Sequence, residues 1–444
     1  MSSPPPSSAA PLYVPPLVRG EPLGRAETAP IVPAAAATAA TAESRSALQA
    51  ALVEHTDVGS SSDDRPGRGR SVAILGTRGI PARHGGFETF AERLALYLVE
   101  RGWRVSVYCQ LDGHGPLHET FWRGVRLVQI PVARGGAWGT VLFDWQATRH
   151  AARTGATCLT LGYNTAVFNA WLRLRRRPNL INMDGLEWQR AKWSWPARAW
   201  LYFNERAGCL VGEHLVADHP QIAAHLGRHV RAAKISMIPY GADRLDSGDP
   251  RYLAEWDLVP GQYVLVIARP EPENSLLEIV TAFSQRRRER RLVVLGHYQP
   301  EINDYHRRVM AAASAEVLFP GAVYEAPVVA ALRWGARLYV HGHQVGGTNP
   351  ALVEALGAGL PILADDNVFN RWVAGPEAAY FADPQQCDAA LTRLLSDDAA
   401  LARMRQASRQ RHAEAFTWPV VLAAYEQLLT RFTPERIAIG SSEA

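Results

Sequence analysis

The sequence predicts two doubly wound α/β domains facing each other across a cleft, behind a disordered N-terminal extension. Three observations carry this reading. From Ser71 onward, short apolar runs alternate with amphipathic segments of helical period, the pattern of a parallel sheet covered by helices. The pattern restarts after a polar stretch with Pro and Gly, residues 241–261. Residues 1–70 are rich in Pro, Ala and Ser and poor in aromatics, so they cannot bury enough apolar surface to offset ordering.

Strands are expected at 71–76, 104–109, 125–130, 157–161, 179–183 and 235–239 in the first half. In the second half they are expected at 263–268, 291–295, 317–319, 338–341 and 361–364. Phe87, Phe90, Ala91, Leu94 and Leu98 share one helical face, and Gly102 stops that helix. A second helix is expected over 275–283, and a short one at 46–55 within the extension. The expected boundaries are 1–70 for the extension, 71–244 and 245–418 for the two domains, and 434–444 for a flexible tail. An apolar helix at 419–433 is expected to cross back onto the first domain.

Composition narrows the function. The chain has 444 residues, 47% hydrophobic and 20% charged, a globular profile large enough for two cores. The net charge of +4 gives no concentrated basic face for nucleic acid, although arginines cluster at 173–177 and 286–291. The four cysteines lack metal-ligand or CxxC spacing, which fits a reducing cytosol and predicts no metal site. The sequence shows neither a secretory signal nor an uninterrupted spanning segment, so a cytoplasmic protein, soluble or peripheral, is expected.

Four segments carry candidate chemistry. Residues 76–88, Gly-Thr-Arg-Gly-Ile-Pro-Ala-Arg-His-Gly-Gly-Phe-Glu, join a strand to a helix. Gly85 and Gly86 allow close backbone approach, and the helix N-terminus behind them favours an anion. Arg78 and Arg83 are candidate phosphate contacts. A loop that merely needs glycine is the plainer reading. A dinucleotide fingerprint fits poorly, because Arg78 stands where its second glycine belongs. Arg269 follows a strand directly and would face the cleft, where a diphosphate needs a cation; a surface turn rich in Pro and Asn is the alternative.

In the third segment, Gly346-Gly347-Thr348 precede Asn349, a good N-cap, and Pro350, suited to the first helical position. Glu354 lies one turn in, where its carboxylate would accept hydrogen bonds from a ribose diol; a solvated helix acid is the alternative. In the fourth, Asp184-Gly185 ends a buried strand, the usual place for an active-site acid. Trp188, Trp193, Trp195 and Trp200 then alternate with Arg190, Lys192 and Arg198. Such a mixture suits anionic lipid head groups, or equally a helix packed by its tryptophans. Pro196 is expected to interrupt any single amphipathic stripe.

Together these residues resemble the family 4 retaining glycosyltransferases of GT-B fold. The resemblance is closest to a bacterial rhamnosyltransferase-like subgroup that pairs G-T-R-G-I-P…G-G-F-E-T with D-G-L-E-W…K-W. It spans about residues 71–433 and includes Ile238-Pro239-Tyr240-Gly241-Ala242-Asp243 and the Gly-Gly-Thr-Asn-Pro loop. It implies two Rossmann-like domains and a nucleotide-sugar donor, with deoxythymidine-diphosphate-rhamnose as the suggested one. It further implies a polyprenyl-diphosphate-linked acceptor at the cytoplasmic face of the inner membrane; the sequence shows no metal-ligand cluster, so no metal or cofactor is expected. Arg269 would bind the diphosphate and Glu354 the ribose. Gly85 and Gly86 would approach the phosphates and acceptor, and Gly347, Thr348 and Asn349 would complete the donor site. Asp184 would orient sugar or acceptor. Gly346 stands where the family carries the first acid of E-x7-E, and Asn274 where a diphosphate-binding lysine is common. Amides of Gly347 and Thr348, and the cations Arg78 or Arg83, are the expected substitutes. An epimerase or phosphorylase on the same scaffold, a dehydrogenase and an inactive membrane scaffold are the competing readings.

Overall fold

The computed structural model describes residues 69–433, other than 83, 84, 134 and 191. The expected extension, its helix at 46–55, the tail at 434–444 and Arg83 therefore lie outside the described residues, apart from Gly69 and Arg70 at the end of the extension.

The first sheet has eight strands: β1 (Ser71–Leu75), β2 (Arg104–Asp112), β3 (His118–Trp122), β4 (Val125–Val132), β5 (Thr157–Leu161), β6 (Asn179–Asn182), β7 (His214–Ala217) and β8 (Ile235–Met237). Their spatial order is β3-β4-β2-β1-β5-β6-β7-β8. All neighbours are parallel except the β3–β4 pair. Strand alternation sorts the core between two faces. Val72 and Ile74 of β1 pack with Phe90, Leu94 and Leu98 of helix α1 (Gly86–Glu100). Ala73 and Leu75 pack with Phe143 and Ala147 of α2 (Gly136–Thr154) on the other face. The short α3 (Ala170–Leu174), then α4 (Trp195–Val211) and α5 (Pro220–Leu226), complete the cover. Pro196 does not interrupt a stripe as expected. It sits in the first turn of α4, where its missing N–H costs no hydrogen bond.

The second sheet is wholly parallel, in the order β11-β10-β9-β12-β13-β14. Its strands are β9 (Tyr263–Ile267), β10 (Arg291–Leu295), β11 (Val317–Gly321), β12 (Leu338–His341), β13 (Ile362–Asp365) and β14 (Ala379–Phe381). Val264 and Val266 face α6 (Leu276–Ser284), which bears out the second expected helix, while Tyr263 and Leu265 face the opposite core. In chain order the remaining helices are α7 (Asp304–Ala311), α8 (Ala326–Gly335), α9 (Pro350–Gly357), α10 (Val368–Ala374), α11 (Pro384–Leu395), α12 (Asp398–Ala415) and α13 (Trp418–Phe432).

Two chain segments cross between the sheets, and they run side by side. The Ala242 amide donates to the Phe416 carbonyl at 2.8 Å, and Ala242 bridges Thr417. Beyond this crossing α13 returns to the first sheet. Trp418, Val421, Leu422, Tyr425, Leu428 and Leu429 all enter the core beneath β1 and α1. Tyr425 Oη accepts a hydrogen bond from Asn182 at the end of β6, at 2.8 Å.

Candidate active site

Both sheets reverse their strand order beside their first strand, at β1/β5 and at β9/β12, and ligands of such sheets bind beyond the carboxyl ends at that point. The loops leaving these strands meet in the cleft. Glu88 accepts the Arg78 amide at 3.1 Å and Glu92 accepts the Ala82 amide at 2.6 Å, so α1 holds its own preceding loop. Gly85 has φ of 103°, and a Cβ on Gly86 would lie 3.2 Å from Pro350 Cγ at the start of α9. Two helix N-termini, those of α1 and α9, thus converge from opposite domains. Asn349 caps α9 through its Oδ1, which accepts the Ala351 amide at 3.0 Å.

Asp184, Gly347, Thr348 and Asn349 line one small cavity of about 70 Å³, with Arg190, Asp218 and His343. Asp184 adopts φ of 51°, a conformation in which its amide donates to Asn182 Oδ1 at 2.9 Å. Asp218 follows β7 as Asp184 follows β6. Its Oδ2 accepts the Thr348 amide at 2.8 Å, its carbonyl accepts the Thr348 hydroxyl, and its Oδ1 is buried without a protein partner. Burial, then the Glu187 carboxylate, raises Asp184 to about 6. Burial, then the Asp184 carboxylate, raises Asp218 to about 8. Burial thus favours the protonated form, more strongly at Asp218 than at Asp184. A Cβ on Gly347 would strike the Asp218 carboxylate, and one on Gly185 would lie 3.2 Å from the Gly346 backbone. Glycine at 185 and 347 is what lets the domains touch here.

Arg190 bridges the domains: its guanidinium lies 2.7 Å from Glu187 and 3.1 Å from Glu273 beyond β9. Behind it, His341 and His343 stack with ring centroids 4.5 Å apart. Burial lowers both, His341 to about 3, so both stay neutral. The His343 carbonyl accepts from Asn367 and Asn370, each at 2.8 Å, which fixes the loop after β12.

The other expected residues separate into groups. Arg269 lies exposed beyond the end of β9 and adds repulsion to Lys192 across the cleft, though burial is the larger cause of that ammonium's lowered pKa. Asn274 is buried, and its amide donates to the Arg269 carbonyl at 2.7 Å, so it shapes the turn instead of facing a phosphate. Glu354 stands outside the small cavity and is ion-paired with Arg333 of α8. Arg78 is exposed at the rim. Sequence reading missed Asp218 and His343 as site residues and took Arg190 as either a cation for anionic lipid head groups or a solvated helix charge. Asp218 was legible by the rule that selected Asp184, had β7 been recognised.

Residues 69–243 match the family described as "Domain of unknown function (DUF1972)". Residues 258–411 match the family described as "Glycosyl transferases group 1". The chain carries a glycosyl transferases group 1 domain. Among solved structures, a sucrose-phosphate synthase from Thermosynechococcus elongatus aligns with TM-score 0.68 and 20% identity, over 82% of this chain and 98% of that one. Anabaena Alr3699/HepE in complex with UDP aligns with TM-score 0.62 and 12% identity, over 82% and 100%. An α,α-trehalose-phosphate synthase (UDP-forming) from Burkholderia vietnamiensis aligns with TM-score 0.63 and 11% identity, over 82% and 100%. The fold is GT-B. No curated protein matches by sequence. Arg269, the Gly346–Asn349 turn and Glu354 lie within the group 1 match, and Gly85, Gly86, Asp184 and Asp218 within the DUF1972 match.

Proposed function

We propose that the protein transfers a sugar from a nucleotide-diphosphate donor to an acceptor bound by its first domain. The observation that carries this is the facing of the Gly346–Asn349 turn, at the amide-rich start of α9, against the acids Asp184 and Asp218. The amides and Arg269 suit a departing diphosphate, and a glycosyl transfer with such a leaving group depends on positioning and charge stabilisation. Glu354 would take the ribose. Asp184, ionised above about pH 6, would orient the sugar or the acceptor hydroxyl. This chemistry needs no cofactor and no catalytic metal, because the cation is supplied by the chain.

Within this reading the donor is deoxythymidine-diphosphate-rhamnose and the acceptor a polyprenyl-diphosphate-linked saccharide at the cytoplasmic face of the inner membrane. Support for the lipid comes from the outer face of the first domain. Trp195 is 81% exposed and Leu210 74% exposed on α4, beside exposed Tyr202 and Phe203. Trp138, Leu142, Trp145 and Phe168 line an apolar hollow of about 570 Å³ next to them. Arg173, Arg198 and Arg206 surround this surface, a mixture suited to anionic head groups. No helix among the described residues is long and apolar enough to cross a membrane, so contact would be peripheral.

The test is ligand-induced thermal stabilisation against a panel of nucleotide sugars, followed by turnover with prenyl-diphosphate-linked acceptors. A selective shift with thymidine-type donors and rhamnose transfer support the reading. No shift with any nucleotide diphosphate overturns it.

A further inference from the structure

Outside the cleft, Glu205 on α4, His225 on α5 and His229 just beyond α5 bring one carboxylate oxygen and two imidazole nitrogens within 4.8 Å of one another. None of the three lines the cavity between the domains. We propose that they form a zinc site that ties α4 to α5.

The chemistry is that of a zinc centre with two imidazoles and one carboxylate, which leaves a fourth position for water. The turn that follows α5 brings the ring of His229 beside that of His225, with centroids 5.3 Å apart. Glu205 is almost fully buried at the base of the group, while His229 is exposed, which gives an ion a path from solvent. The indole Nε1 of Trp188 donates to Glu205 Oε2 at 2.7 Å. That bond orients the carboxylate and leaves Oε1 toward the histidines, the outer-shell arrangement that metal carboxylates use. Oε1 and His225 Nε2 are 2.9 Å apart. Zinc bonds of about 2.0–2.1 Å at tetrahedral angles place ligand atoms about 3.3 Å apart, so an ion enters with a few tenths of an ångström of opening plus a rotation of the exposed His229.

A plain Glu205–His225 hydrogen bond explains two of these residues and leaves His229 without a role. Arg206 lies 3.8 Å from Glu205 and is a cation that competes for this carboxylate. Its guanidinium, however, also stacks on Tyr202 at 4.7 Å and donates to the Tyr202 hydroxyl at 3.2 Å, so it is shared with that ring.

The experiment uses the untagged full chain, stripped with a chelator and dialysed against zinc with magnesium in excess. The expected result is one zinc retained per chain, since imidazole ligands favour zinc over magnesium. His229→Ala, an exposed change that leaves the melting temperature of the stripped protein unaltered, should weaken retention at least about tenfold. Zinc should also change tryptophan fluorescence in the wild type, and Trp188→Phe should remove that change. Equal retention by wild type and His229→Ala, or no retention by either, overturns the proposal.

Discussion

Asp218, from the first domain, accepts the main-chain hydrogen of Thr348, from the second, at 2.8 Å. A carboxyl group thus stands on an amide that the proposed donor would need. Because burial and Asp184 hold Asp218 at about 8, this contact is made at neutral pH by a mostly protonated acid.

The folded chain holds the Asp218 proton more tightly than the unfolded chain, where an aspartate titrates near about 3.9. Stability from this group is full below that value and is lost as pH rises toward about 8. Asp218→Asn should therefore gain on the wild type by roughly 2–4 kcal/mol near pH 8.5 and converge with it near pH 4, as read by melting temperature. The full shift at about 1.4 kcal/mol per unit would give more, but an opened cleft rehydrates the carboxylate. Wild-type stability that is flat between pH 5 and pH 8 would contradict this assignment.

Gly347→Ala places a methyl group against the Asp218 carboxylate. The domains then cannot close on the Gly346–Asn349 turn, and turnover should fall at least about tenfold, on the order of 1.4 kcal/mol. Combining it with Asp218→Gly removes the clash, so partial recovery of donor binding in the double variant is expected. If the two losses simply add, the clash is not their cause.

Glu354→Gln keeps shape and an acceptor oxygen but removes the charge shared with Arg333. Donor affinity, measured by titration with the nucleotide diphosphate, should fall about 10- to 150-fold, the about 1.5–3 kcal/mol of a charged hydrogen bond. Unchanged affinity would place the ribose elsewhere.

Tyr425→Phe removes the hydroxyl that accepts from Asn182, while Asn182 Oδ1 supports the Asp184 amide. Denaturant unfolding should show a loss of about 1–2 kcal/mol, the cost of leaving a buried donor unmade. A drop in kcat beyond the stability loss is expected as Asp184 loosens, although Tyr425 sits in the core and touches no ligand.

Much of this was legible in the sequence. Apolar runs such as residues 263–268 announce buried parallel strands, and Asn349-Pro350 announces the start of α9. What escaped were short or polar elements. The strand β3, His-Glu-Thr-Phe-Trp, is mostly exposed at a sheet edge and carries little apolar signal. The strand β7 has only four residues and opens with a buried histidine, so it was passed over, and Asp218 with it. Pro196 was read as a break because local pattern does not reveal that a helix begins there. Arg190 reads from sequence as a lipid-facing or solvated charge, since its partner Glu273 lies 83 positions away and only the fold joins them.

The return of α13 has a bearing on how the chain is made. Trp418, Val421 and Tyr425 complete the hydrophobic layer under β1, a strand synthesised some hundreds of residues earlier. While the second sheet is being translated, the face of β1 and α1 that these residues cover has no permanent occupant. At about 5–20 residues per second that interval lasts tens of seconds, long enough for a chaperone to bind the open layer. Ribosome-stalled chains ending near residue 410 should accordingly present a first sheet that a protease still cuts, and release of the last helix should close it.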